Sequence, residues 1–308
     1  MAKMNLKNKR IGVLYGGWSA EREISIKSGL NVIAILKEAG YNAVPIDIGR
    51  NFIQKIKRAK IDIAFIALHG PFGEDGTIQA ILEKLKIPYT GSGILASALA
   101  INKILTKKIL QWYKLPTPEW EPVTKSAINS FSLKLKYPVV VKPSRQGSTI
   151  GISIVNSKDR LESALRKAFR YDKQLLIEKY ISGRELTVGI LNGKALPVVE
   201  ILPTISKFYD YSAKYIVGGS KHIVPAQLPK KIYKSAQRVA EQAFKVIGCT
   251  AVARVDLMLG NNGKICILEI NTIPGMTETS LLPEAGKADG ISPRDLILKI
   301  TESSLKAR

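Results

Sequence analysis

Between residues 10 and about 100, short apolar runs alternate with amphipathic stretches: RIGVLYGG, a helical pattern from about Glu21 to Ala39, YNAVPIDI, a second helix near Ile53 to Ala59, then IDIAFIALHG. A further helix follows GEDG, and IPYTGSG leads into one that starts near Ile94. This alternation predicts a mainly parallel sheet with helices on its faces. In such a sheet ligands gather at the carboxyl ends of the strands. The pattern ILASALAINKILTKKILQWYKL reads as one helix, and the prolines of Leu115-Pro116-Thr117-Pro118 mark a connection between domains.

Beyond that connection the apolar strand of YPVVVKP ends at Lys142, a Gly/Ser-rich loop follows, and a second strand begins at once. A helix over SKDRLESALRKAF precedes the β-rich run LLIEKYISGRELTVGIL. In KKIYKSAQRVAEQAFKVIG, residues Ile232, Ala236, Val239, Ala240, Ala243 and Phe244 recur at three- and four-residue spacing, one buried helical face that ends at a Gly248 C-cap. ISPRDLILKITESSL is a further amphipathic helix assigned to packing.

The stretch from Arg254 to Asn271 predicts a β-hairpin, because two apolar runs flank Asn262-Gly263, a pair suited to a tight two-residue turn. That turn puts Asp256 opposite Glu269 and Arg254 opposite Asn271, all on one face. Two carboxylates rooted about 5 Å apart repel by roughly 3 kcal/mol at an effective dielectric near 20. A divalent cation resolves the repulsion, since two carboxylates and the Asn271 amide oxygen form the hard donor set that suits magnesium shared with phosphates. The alternative is a structural ion-pair cluster in which Arg254 neutralises the acids. Directly beyond, Thr272 to Leu281 is rich in turn formers and hydroxyls, able to aim backbone N–H groups and a serine at a small anion.

Composition narrows the field. The 308 residues are enough for two or three packed domains, 45% are hydrophobic, and no apolar run reaches the ~18 residues of a membrane span. The N-terminal MAKMNLKNKR before IGVLYGG reads as the approach to a first strand, not as a signal peptide. Cys249 and Cys266, in apolar surroundings and without metal-site spacing, read as buried free thiols suited to a reducing cytoplasm. Forty-seven basic against 25 acidic residues give a net charge of +22. The basic residues are scattered, with no aromatic interleaving or recognition motif, so a solvated lysine-rich surface is preferred over a nucleic-acid interface.

Two loops stand at strand ends in the first hundred residues. In Gly16-Gly17-Trp18-Ser19-Ala20-Glu21, Ser19 is the expected N-cap and Glu21 sits in the first helical turn, where an acid complements the helix dipole or anchors an ammonium. His69-Gly70-Pro71-Phe72-Gly73-Glu74-Asp75-Gly76 carries a histidine that is either a hydrogen-bonded structural group or part of a site. In the loop after Lys142, short side chains let backbone N–H groups close over an anion while Lys142 adds a positive charge. It is not a Walker A motif, since it lacks the terminal GK[ST] and leads into a strand. In the run that follows, alternation puts Glu178 and Tyr180 on one face and Lys179 and Ile181 on the other. Taken alone, that run reads as an exposed charged hairpin.

RVD, LEINT and PGMTETSLL resemble the ATP-grasp ligases, most closely the D-alanine–D-alanine ligase family. The patterns GG-x-SAERE-x-S and HG-x-x-GEDG-x-x-Q extend the resemblance over nearly the whole chain. It implies an α/β ATP-grasp fold: an N-terminal parallel-sheet (pre-ATP-grasp) domain over 1–102, a middle lid domain over 103–185 and a C-terminal α+β domain over 186–308, with ATP between the last two. It further implies Glu21 and His69 at the first substrate; Lys103, Lys142, Ser148, Glu178, Lys179, Ile181 and Glu185 at the nucleotide; and Asp256, Glu269 and Asn271 on magnesium. The metal would be two ions, replaceable by manganese. Arg254 and the Gly275 N–H would stabilise an oxyanion, and Ser280, Leu281 and Lys214 would hold the second substrate's carboxylate. Tyr215 would bond Ser148 and Glu21, closing the phosphate flap.

The expected activity is ATP-dependent joining of two D-alanines through an acyl phosphate, supplying a dipeptide for peptidoglycan precursors, in a cytoplasmic homodimer with no membrane or specific nucleic-acid partner. The rivals are a related ligase with another acceptor and a basic nucleic-acid-binding protein on the same scaffold. Asn102 departs from the family's usual aspartate and alters the local charge.

Overall fold

The computed structural model describes residues 6–204 and 219–306. Its first sheet is parallel, with order β2-β1-β3 from β1 (Arg10–Gly16), β2 (Asn42–Ile48) and β3 (Ile63–Ile66). α1 (Arg22–Glu38) and α2 (Phe52–Ala59) are the crossovers, and α3 (Thr77–Lys84) follows. Pro45 lies in β2, an edge strand, where the missing N–H costs no central ladder bond. β1 and β3 are buried on both faces, which is why their sequence is a near-continuous apolar run.

The expected single helix after residue 94 is two: α4 (Ile94–Ile101) and α5 (Lys103–Trp112). The break is Asn102, with extended backbone and a side chain that accepts from Leu105 N at 3.2 Å and from Ser144 Oγ at 3.0 Å. The periodic apolar pattern runs through this position, but a buried asparagine that caps the second helix stops the first.

A four-stranded antiparallel sheet, order β4-β7-β5-β6, comprises β4 (Trp120–Thr124), β5 (Val139–Pro143), β6 (Ser153–Val155) and β7 (Gln174–Lys179). α6 (Leu161–Ala168) covers it, and Val139, Val141, Leu165 and Ile177 form its own core. The last sheet is antiparallel, order β10-β9-β8-β11-β12, from β8 (Gly183–Leu191), β9 (Lys194–Pro203), β10 (Ser220–Ile223), β11 (Val252–Gly260) and β12 (Ile265–Asn271). LLIEKYISGRELTVGIL is therefore not a hairpin, because β7 and β8 belong to different sheets and only Tyr180–Ser182 joins them.

α7 (Lys230–Ile247) buries Ala236, Val239, Ala240, Ala243 and Phe244 against one face of the last sheet, and Gly248, at φ 78°, caps it. Ala96 and Ala100 of α4 and Leu110 of α5 enter the same core. The opposite face meets α8 (Leu281–Ala288) and α9 (Pro293–Lys306), whose Leu281, Leu282, Leu296 and Ile297 share a core with Val13, Val32 and Phe65 of the first sheet unit. First and last sheets are thus welded by apolar burial, whereas the middle sheet has a separate core. Cys249 is a buried free thiol as expected, pushed by burial up to about 12. Cys266 is only half-buried, because its neighbours in β12 alternate between core and cleft.

Candidate active site

The β11–β12 hairpin pairs Arg254 with Asn271 and Asp256 with Glu269, as expected, but by a different route. Its loop has three residues, Asn261 to Gly263: Gly260 N bonds Lys264 O at 2.9 Å, and of the presumed turn pair only Gly263 has positive φ. That loop shifts the register by one. A bulge between Asp256 and Leu257, which leaves Leu268 unpaired, shifts it back. The acids face each other because two irregularities cancel.

Each acid is compensated. Arg254 holds Asp256 by two bonds of 2.8 Å, and Thr187 Oγ1 donates to Asp256 at 2.6 Å. Lys103 Nζ lies 3.1 Å from Glu269 and donates to Gln146 O at 2.7 Å, so one ammonium links the hairpin to the loop after β5. Asn271 Oδ1 accepts from Ile273 N at 2.8 Å and starts the following turn. Among the described residues no group of three or more His, Cys, Asp and Glu side chains is arranged to hold a metal. The oxygen set is two carboxylates and an amide, which fits a cation completed by phosphate oxygens better than an all-protein cage.

In the loop after β5, Ser148 and Thr149 have φ of 48° and 63°, left-handed backbone at residues other than glycine. Ser148 Oγ donates to the Glu21 carboxylate, and a Cβ on Gly147 would come within 3.0 Å of Glu21 Oε2. The loop therefore touches the N-terminal unit through a serine and passes it at a glycine. Glu21 itself is the residue that precedes α1. Ser19, the expected cap, instead donates to His69 O at 2.7 Å and accepts from Glu21 N at 3.2 Å, tying the two N-terminal loops together.

His69 is buried, with Nδ1 3.5 Å from Glu74 and Nε2 3.4 Å from Ser28 Oγ. Ser28 Oγ also accepts from Met276 N at 3.2 Å, and Asn31 Nδ2 donates to Met276 O at 2.6 Å. α1 thereby fixes both edges of the Met276 peptide. At the end of this loop Ser280 Oγ accepts from Thr277 N at 3.0 Å and caps the turn ahead of α8. A Cβ at Gly275 would come within 2.8 Å of Ser280 Oγ, so a side chain there would displace the hydroxyl that accepts from Thr277.

These elements enclose one cavity of about 1050 Å³. Glu21, His69, Lys103 and Ser148 line it from one side, and Arg254, Glu269, Asn271, Gly275, Ser280 and Leu281 from the other. Lys142, Glu178, Lys179, Ile181 and Glu185 stand apart from this wall, along β5, β7, β8 and the short connection between β7 and β8. Glu178 is buried between two ammonium groups: Lys107 Nζ lies 2.8 Å away, in ion-pair but not hydrogen-bond geometry, and Lys142 contacts the other oxygen. Burial pushes the Glu178 carboxyl up, but Lys107 and Lys142 outweigh it and hold the group below the usual carboxylate range. Burial, aided by Lys142, drives the Lys107 ammonium below its ordinary value against the pull of Glu178. Lys179 is exposed, and Glu185 lies in β8 opposite Met258 and Ile201. Lys214 and Tyr215 lie outside the described residues.

Sequence reasoning missed Ser28, Asn31, Lys107 and Thr187. Lys107 falls in the KK pair of α5, which reads as part of a lysine-rich surface, and Ser28, Asn31 and Thr187 are not among the residues that the motifs assign. The buried ones show their role only through partners distant in sequence.

Three sheets, with a serine- and glycine-rich loop over an acidic hairpin, define an α/β ATP-grasp architecture, and comparison with known proteins agrees. The model of the D-ala D-ala ligase C-terminus matches residues 105–302 and that of the N-terminus residues 50–92. The chain belongs to the D-alanine–D-alanine ligase family. It is 48% identical over 304 residues to a curated D-alanine--D-alanine ligase of Citrifermentans bemidjiense, covering 99% of both chains. The corresponding protein of Geobacter sulfurreducens is 46% identical over 306 residues, 99% of this chain and 96% of that one. Among solved structures, the D-alanine--D-alanine ligase of Bacillus anthracis complexed with ATP superposes with a TM-score of 0.84 at 37% identity, over 97% of this chain and 98% of that one.

Proposed function

We propose that this chain joins two D-alanine molecules at the expense of ATP, releasing ADP and phosphate, in the cytoplasm and as a homodimer. The observation that supports it most is the facing of buried Asp256 and Glu269 across the hairpin, with Glu269 on the wall of a cleft that also gathers Glu21, Ser148, Arg254, Gly275 and Ser280. The first D-alanine binds by its ammonium at Glu21, beside His69, and its carboxylate attacks the γ-phosphate in line. Asp256, Glu269 and Asn271 would hold magnesium, one or two ions, which supplies charge neutralisation at the phosphates.

Lys103, Lys142 and the loop around Ser148 surround the phosphates. Glu178, Lys179 and Ile181 line the adenine edge, and Glu185 accepts from the ribose hydroxyls. The acyl phosphate formed is attacked by the amine of the second D-alanine, and the Arg254 guanidinium with the Gly275 N–H stabilises the tetrahedral oxyanion. Ser280, the Leu281 N–H and Lys214 receive the second carboxylate. Closure matters because water would hydrolyse the acyl phosphate; the Ser148–Glu21 contact shuts the flap on the first unit, a closure that Tyr215 would complete. This reading divides the chain into an N-terminal substrate unit over 1–102, a middle nucleotide lid over 103–185 and a C-terminal unit over 186–308.

Phosphate release from ATP and magnesium, measured with D-alanine, L-alanine, D-serine and D-lactate and with products weighed by mass spectrometry, tests the proposal. Turnover with D-alanine to a dipeptide supports it. Turnover only with another pair transfers the chain to a related ligase with a different acceptor, and none with any substrate removes the ligase reading.

A further inference from the structure

The cleft contains a hydrogen-bonded chain that the reaction scheme leaves unused. His222, on the edge strand β10, meets Glu284 of α8 through Nδ1 and Oε2 at 2.7 Å, and its Nε2 lies 3.0 Å from Ser220 Oγ. All three side chains line the active-site cavity, and His222 is the more enclosed of the bonded pair, 13% exposed against 29% for Glu284. Glu284 stands in the first turn of α8, where its own amide bonds Ser280 O at 3.2 Å. A carboxylate there is attracted to the same positive helix end that would receive a substrate carboxylate at Ser280 and Leu281. Left free, it would compete with that substrate; in the structure it turns to His222 instead. Lys287, one turn further along α8, Glu278 in the preceding loop and Lys27 of α1 also line the cavity.

We propose that His222 is a positioning residue for the acceptor subsite: by engaging Glu284 it keeps that acid away from the amino end of α8 and leaves the end open to the carboxylate of the second amino acid. Ser220 holds the ring in the orientation that presents Nδ1 to Glu284. The inference rests on the reading of Ser280 and Leu281 as the carboxylate anchors, and it assigns to β10 a part in choosing the acceptor.

The test is a kinetic cycle of His222→Gln, Glu284→Gln and the double variant, with separate KM values for ATP, the first D-alanine and the second. His222→Gln is expected to raise KM for the second D-alanine about tenfold, the effect of one uncompensated neighbouring charge, and to leave the other two KM values within about twofold. Glu284→Gln, which removes the competing charge, should leave all three near wild type, and the double variant should recover the acceptor KM lost in His222→Gln. A purely structural pair would lower melting temperature and kcat in all three variants without that recovery. An unchanged acceptor KM in His222→Gln, or a double variant no better than the single, overturns the inference. Should His222→Gln fail to fold, Glu284→Gln decides: an acceptor KM raised tenfold in that variant overturns the proposal, and an unchanged one supports it. Failure of the wild-type protein to make the dipeptide from D-alanine would instead overturn the underlying reading of the site.

Discussion

Two clusters in this molecule set carboxylates against ammonium or guanidinium groups, and they differ in charge balance and in access to water. At the hairpin, Asp256 and Glu269 balance Arg254 and Lys103, and the Glu269 side chain is 27% exposed at the cleft. Where β7 hinges into β8 of the last sheet, Glu178 alone faces Lys107 and Lys142 and is only 2% exposed. The first cluster gains a net negative face as soon as Lys103 turns to a phosphate, which is what a divalent cation needs. The second carries surplus positive charge, which suits a polyphosphate, and it keeps a fixed counter-ion in Lys107 if Lys142 leaves Glu178 for that ligand. On the proposed reading, the same side-chain types prepare one place for a cation, balanced until Lys103 turns away, and another for an anion, where positive charge is in excess.

Removing a partner at the buried hinge should do the most damage. Lys107→Met leaves Glu178 with one cation in a dry site, and loss of about 3–5 kcal/mol of unfolding free energy is expected in denaturant titration. A loss below about 1 kcal/mol would show that Lys107 is not the fixed counter-ion. Glu269→Gln, at the more open hairpin, should reverse the balance of effects: turnover with magnesium falls by about 100-fold or more while stability moves by less than about 1 kcal/mol. Near-wild-type turnover in that variant would remove Glu269 from the metal set.

Ser148→Ala tests the link between the flap and Glu21. It should cost about 1 kcal/mol, seen as a roughly fivefold rise in KM for the first D-alanine, and equal KM values in the two proteins would leave the contact without a role in binding. The smallest effect concerns acid. Because the folded-state carboxyl of Glu178 is held below its ordinary range, its contribution to stability is complete above the unfolded-state value and is lost only as pH falls through the depressed one. Stability attributable to Glu178, taken as the difference between wild type and Glu178→Gln, should therefore be flat from about pH 7 to about pH 5. A steep decline across that interval would mean that the two lysines do not dominate its environment.

The paths by which fold and site could be read differ from element to element. β1, α1 and α7 were legible because burial on one face or both writes a period into the sequence. The hairpin partners Asp256–Glu269 and Arg254–Asn271 were reached with a turn one residue too short, and the bulge that compensates carries no sequence mark, since Leu268 looks like its apolar neighbours. The split at Asn102 was hidden for a similar reason. Ser144, whose hydroxyl helps to hold that asparagine, comes from another sheet. Ser19 shows the converse: a good local capping residue was drawn off by the His69 carbonyl, a partner fifty residues away.

By itself the sequence determined the class of fold, the parallel order of the first strands, the acidic hairpin and the motifs that mark a D-alanine–D-alanine ligase, because these depend on local period, turn chemistry and residue type. Tertiary structure alone decided which distant basic side chain meets which acid. Lys103 spans to Glu269 and Gln146, Lys107 is withdrawn from solvent to face Glu178, and His222 reaches Glu284. Pairings of this kind form between segments of separate sheets and helices, and their strength depends on burial. Both are properties of the folded chain and leave no period in the sequence.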